Sequence, residues 1–83
     1  MAATREDIRE WFLRGKKQKA THMIVVCDTY DWEDYPFYVS RDENVREKFE
    51  ELNEKGMNKV MEVYSMNIDL SSQLDEHRAF HFD

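Results

Sequence analysis

The sequence predicts a small α+β domain. The expected order is α-β-β-α-β(-α), folded as a two-layer sandwich, with a three-stranded antiparallel or mixed sheet in the order 2-1-3 and the helices on one face. Three observations predict it. Apolar residues recur with helical spacing in two separate stretches, 4–18 and 41–55. Between them, Met23-Ile24-Val25-Val26-Cys27 is an unbroken apolar run of strand length. The chain has 83 residues with only 2 Gly and 1 Pro, enough for one domain (1–83) and too few breakers for a loop-rich one.

The first helix begins at Thr4, an N-cap residue with Asp7 three positions on, as in a capping box. Ile8, Trp11 and Phe12 share one face. Gly15 and the cations Arg14, Lys16, Lys17 and Lys19 mark its end, where positive charge complements the helix dipole. Residues 21–28 form the first strand, apolar enough to be central or buried on both faces. Residues 29–35 read as a loop, and Pro36 opens a second strand at Phe37-Tyr38-Val39, since proline is tolerated at a strand start or edge.

The second helix takes Ser40 or Asp42 as its cap and buries Val45, Phe49 and Leu52. Gly56 reads as its left-handed stop. Residues 58–66 form the third strand, with Val60, Tyr64 and Met66 on one face and Met61 and Val63 on the other. Asp69 or Ser71 caps a short final helix that turns Leu70 and Leu74 inward, and Phe80 and Phe82 are left to pack.

The net charge is −6 and uneven. Residues 1–20 carry six Lys/Arg against three Asp/Glu, and residues 21–83 carry six against fifteen. An acidic body repels phosphate, which argues against direct nucleic-acid binding and for a protein partner with a basic surface. The lone cysteine, Cys27, cannot form an internal disulfide, so a reducing, cytoplasmic setting is expected. No apolar stretch is long enough to cross a membrane, and the first seven residues lack the apolar segment of a secretion signal.

The most unusual segment runs from Asp28 to Tyr35. Asp28, Asp31, Glu33 and Asp34 alternate there with Tyr30, Trp32 and Tyr35. Exposed tyrosine and tryptophan are the usual anchors of protein interfaces. The expected binding surface is therefore Tyr30, Asp31, Trp32, Glu33, Asp34 and Tyr35. The alternative is that the rings fold back over the core edge while the acids face water. A metal-dependent hydrolase or nuclease using the carboxylates of Asp28, Asp31 and Asp34 is the competing function, because hard cations take oxygen ligands. The spacing lacks an EF-hand pattern and its turn glycine, and no metal or other cofactor is expected.

His77 and His81 have the spacing of a zinc pair on a helix, but no cysteine or second pair supports them. Cys27 ends an apolar strand, where a thiol is usually an inert small hydrophobe. No nucleophile motif or phosphate-binding glycine loop occurs, so the chain is not expected to be an enzyme. The acidic row Glu43, Glu47, Glu50, Glu51 and Glu54 could copy a phosphate spacing, but Lys48 and Lys55 interrupt it.

The stretches Thr21-His22-Met23-Ile24-Val25-Val26-Cys27-Asp28-Thr29 through Asp34-Tyr35-Pro36, and Val60-Met61-Glu62-Val63-Tyr64 through Leu74-Asp75-Glu76-His77-Arg78-Ala79-Phe80-His81, resemble a group of short α+β proteins of bacterial and phage genomes with no assigned activity. The resemblance covers most of the chain and implies a bacterial or phage cytoplasmic setting. The expected function is that of a small, acidic, non-catalytic protein-binding domain. One concrete form is a phage-type inhibitor of a nucleic-acid-handling host complex. A homodimer paired through an edge strand, at Phe37–Val39 or Tyr64–Met66, is the further expectation.

Overall fold

A computed structural model describes residues 4–54, 58–76 and 79–82. Helix α1 spans Arg5–Lys17 and starts at the expected capping box. The Asp7 amide donates to Thr4 Oγ1 and the Thr4 amide donates to Asp7 Oδ2, both at 3.1 Å. Gly15 does not stop the helix as expected. It lies inside α1 and is buried, because a Cβ there would stand 2.5 Å from Met66 Cε and 2.9 Å from Tyr38 Cε1. The stop is Lys19, held in the left-handed region at φ 61°. Its amide reaches the Lys16 carbonyl and the Ala20 amide reaches the Gly15 carbonyl, the paired bonds of a Schellman end with lysine where glycine is usual.

Strand β1 (His22–Asp28) is central, flanked by β2 (Glu33–Val39) and β3 (Asn58–Ser65), each antiparallel to it, in the expected order 2-1-3. Strand β2 begins three residues before Pro36, so Glu33, Asp34 and Tyr35 belong to the ladder and not to a loop. Pro36 sits opposite Val25 on an edge strand, where its missing N–H leaves no gap in a second ladder. The expected alternation in β3 is broken by a bulge. Val25 faces Glu62 and Val26 faces Val60, with Met61 as the extra residue. As a result Val60 and Val63 share one apolar cluster, and Met61, Tyr64 and Met66 lie in the other.

Helix α2 spans Val45–Glu54. Its cap is Asn44 rather than Ser40 or Asp42. Asn44 Oδ1 accepts the amides of Arg46 at 2.9 Å and Glu47 at 3.2 Å. Ser40 and Glu43 instead close the preceding turn on each other. Lys48 pairs with Glu43 at 3.1 Å and Glu51 at 3.7 Å, so it joins the acidic row rather than merely interrupting it. Gly56, and the side chains of Glu54 and Lys55, lie outside the description.

The helices do not share a face, which corrects the two-layer expectation. Ile24 and Val26 point to a cluster with Val45 and Leu52 of α2. Met23 and Val25 point the opposite way, to Ile8 and Phe12 of α1. The short helix α3 (Leu70–Leu74), capped by Asp69, adds Leu70 and Leu74 to the α1 side. The physical reason is already in β1. A strand apolar at successive positions has two faces to cover, and one layer of helices covers only one.

The outer edge of β3 is closed from within. Val63 donates to the Ala79 carbonyl at 2.7 Å and accepts from the His81 amide at 3.0 Å, through a parallel bridge to Phe80. Ser65 donates to Gln73 Oε1 at 2.8 Å and accepts from Gln73 Nε2 at 3.0 Å. The Val60 amide donates to Asn53 Oδ1. Phe80 and Phe82 pack edge-on against Phe49, at ring-centroid distances of 6.1 and 5.3 Å, and Arg46 stacks over Phe82. Residues 79–82 thus work as a strap across β3 and α2.

Candidate functional site

The acidic, aromatic segment forms the tip of the β1–β2 hairpin. The Asp28–Glu33 pair closes the ladder, and residues 29–32 make the turn. Three bonds shape it. The Trp32 amide donates to the Asp28 carbonyl at 2.7 Å, the Tyr30 amide to Asp28 Oδ1 at 2.9 Å and the Glu33 amide to Asp31 Oδ1 at 3.1 Å. Short polar side chains that hold nearby amides build such turns without glycine. The chain reverses through Trp32, whose φ of 59° puts a bulky residue in the left-handed region.

The six predicted residues do not behave alike. Tyr30 is 81% exposed and Trp32 is 64% exposed, and Asp31 and Glu33 are exposed beside them. Asp34 and Tyr35 lie lower, on β2, and are half-buried. Tyr35 packs against the α2-side cluster, and its hydroxyl donates to Asn58 Oδ1 at 3.4 Å. Burial pushes its phenol pKa up, helped by the charge of Asp28. Tyr35 therefore fits the core-edge reading, and the outward tip is Tyr30 to Glu33.

Pairing also brings Asn58 opposite Asp28 and the exposed Lys59 opposite Cys27, so the start of β3 borders the tip. That neighbourhood depends on a register across 30 residues of chain, and nothing local in the sequence signals it.

Two of the carboxylates proposed as metal ligands are turned to the backbone, since Asp28 and Asp31 each accept an amide of the turn. Among the described residues, no three His, Cys, Asp or Glu side chains form a group that could hold a metal ion. Cys27 is buried, and desolvation, followed by the hydrogen bond and charge of Asp34 across the ladder, pushes its thiol pKa up, away from nucleophilic use. His77 lies outside the described residues. His81 pairs with Glu76 at 2.6 Å and belongs to the strap.

The basic run is fully displayed. Arg14, Lys16, Lys17 and Lys19 are all exposed at the end of α1. No helix among the described residues is long and apolar enough to cross a membrane. In comparisons with known proteins, no family model matches this chain, and neither a curated protein nor a solved structure shows significant similarity to it.

Proposed function

We propose that this chain is a non-catalytic, cytoplasmic protein-binding domain that grips a basic protein surface through its hairpin tip. Trp32 carries the proposal. An indole that is two-thirds exposed gives up burial worth about 2 kcal/mol. A left-handed backbone adds a cost of about 1–2 kcal/mol that glycine would avoid. Both are costs to the fold, and tryptophan and tyrosine at an exposed tip are interface anchors. Asp31 and Glu33 lie beside the two rings, and their charge selects cationic surroundings and speeds encounter with them.

The resemblance to bacterial and phage proteins gives this reading one concrete form, an inhibitor that docks on a nucleic-acid-handling host complex. Such complexes expose basic surfaces that an acidic ligand can occupy without touching nucleic acid.

The test is affinity capture from bacterial lysate with the wild-type chain and with Trp32→Ala. The wild type should retain a partner and the variant should lose it, at an unchanged melting temperature. A melting temperature lowered by ~10 °C or more, equivalent to ~2 kcal/mol for a domain of this size, would make Trp32 a packing residue and end the reading.

A further inference from the structure

The charge asymmetry of the sequence becomes a geometric one in the fold. Helix α1 ends where β1 begins, and β2 ends at the same place, so Arg14, Lys16, Lys17, Lys19 and Arg41 gather at one end of the sheet. All five are exposed. Leu13, 56% exposed, stands among them on the outer side of α1. The acids at this end are fewer. Glu10 lies one turn back, Asp42 is next to Arg41, Glu43 is paired with Lys48, and Asp69, four residues past the end of β3, caps α3. The hairpin tip is at the other end of β1, seven residues and about 23 Å away.

The two poles share one more feature. The only residues besides glycine with positive φ among those described are Lys19 at 61° and Trp32 at 59°. Each position suits glycine, and the chain fills one with an ammonium and the other with an indole.

We infer that the basic pole around Leu13, Arg14, Lys17 and Lys19 is a docking surface for the hairpin tip of a second copy of this chain. The fit is one of chemistry. The pole offers an exposed aliphatic side chain among cations, and the tip offers exposed rings between carboxylates. Long polyanions suit the pole less well, because a nucleic acid laid across it would run onto the acidic remainder of the molecule. The sheet edges do not compete for a second copy. The outer groups of Val60, Val63 and Ser65 on β3 are bonded internally, and β2 carries Pro36. Because pole and tip are different surfaces, the contact is head to tail, and each added copy again offers one pole and one tip, in a ring or an open chain. It rests on the reading of the tip as a contact surface.

Sedimentation or light scattering of the full chain tests it. At low ionic strength the average mass should rise above 10.1 kDa with concentration, and about 0.5 M salt should return it to the monomer. Lys17→Glu/Lys19→Glu and Trp32→Ala should each be folded and monomeric alone, Trp32→Ala at an unchanged melting temperature and the double variant a few degrees lower, since it sets two acids at the C-terminal end of α1. Mixed, they retain one intact pole and one intact tip, and should form a dimer and nothing larger. A wild type that stays at the monomer mass overturns the inference, even where the tip still captures another protein. So does self-association that survives in either variant. Binding of a duplex DNA oligomer, lost in Lys17→Glu/Lys19→Glu, would reassign the pole to nucleic acid.

Discussion

Lys19 and Gly15 show how close the end of α1 runs to its limits. Lys19 holds a Schellman end from the left-handed region, so Lys19→Gly should stabilise the fold by about 1 kcal/mol. For a domain of this size that is a rise of about 4–8 °C in melting temperature by calorimetry. Gly15→Ala should act in the opposite sense, although alanine is the better helix former by about 1 kcal/mol. The added methyl meets Met66 and Tyr38. Methionine can move, but the Tyr38 ring is pinned by its hydroxyl, which donates to the Trp11 carbonyl at 2.7 Å. A net loss of about 1–2 kcal/mol in chemical denaturation is expected. The sequence shows the glycine but not its reason. A glycine near a run of cations reads as a helix stop, and only the approach of β2 shows it to be a packing site.

Among the described elements, periodicity located α1 and α2, the apolar run located β1, Pro36 located β2 three residues late, and local chemistry placed the caps of α1 and α3. Reading failed where tertiary pairing outweighed local preference. Glu33 and Asp34 are poor strand formers, yet they enter β2 because the turn before them is closed by Asp28 and Asp31. The bulge at Met61 moves Val60 and Val63 to one face, and no residue in β3 signals it. Ser40, Asp42 and Asn44 are all competent caps, and sequence alone does not rank them.

Gln73 was also invisible from sequence. A polar residue in a short amphipathic turn looks solvated, yet it is buried and bonds Ser65 on both sides and the Ile68 carbonyl at 3.1 Å. Gln73→Leu should remove both of its bonds to the Ser65 main chain and cost about 2–4 kcal/mol by denaturant titration. An exposed glutamine would cost less than about 0.5 kcal/mol.

For the whole molecule, three covered tyrosines set a limit at high pH. Burial pushes the phenols of Tyr64, Tyr38 and Tyr35 above the ordinary value of 10.0, and for Tyr64 the hydrogen bond to Glu62 and its charge add to the effect. The neutral form is therefore the one the fold prefers. The sign follows: their contribution is complete below about pH 10 and is lost as pH rises beyond it. The tyrosine part of the stability should be flat through neutral pH and fall above pH 10, on top of an earlier loss from the raised Cys27 thiol, and Tyr64→Phe should flatten the later fall. The same scale explains what the sequence could and could not say about the site. An acidic body with aromatic residues in one segment was legible as a candidate surface. Which rings face outward was not, because Tyr35 and Trp32 are separated only by the start of β2.

Trp32 is kept at the tip at a cost to the fold. The direct measurement is the melting temperature of Trp32→Gly, which removes the indole and relaxes the left-handed backbone together. A value equal to the wild type or higher is expected. A clear drop would mean that the indole holds the hairpin together, and would contradict this.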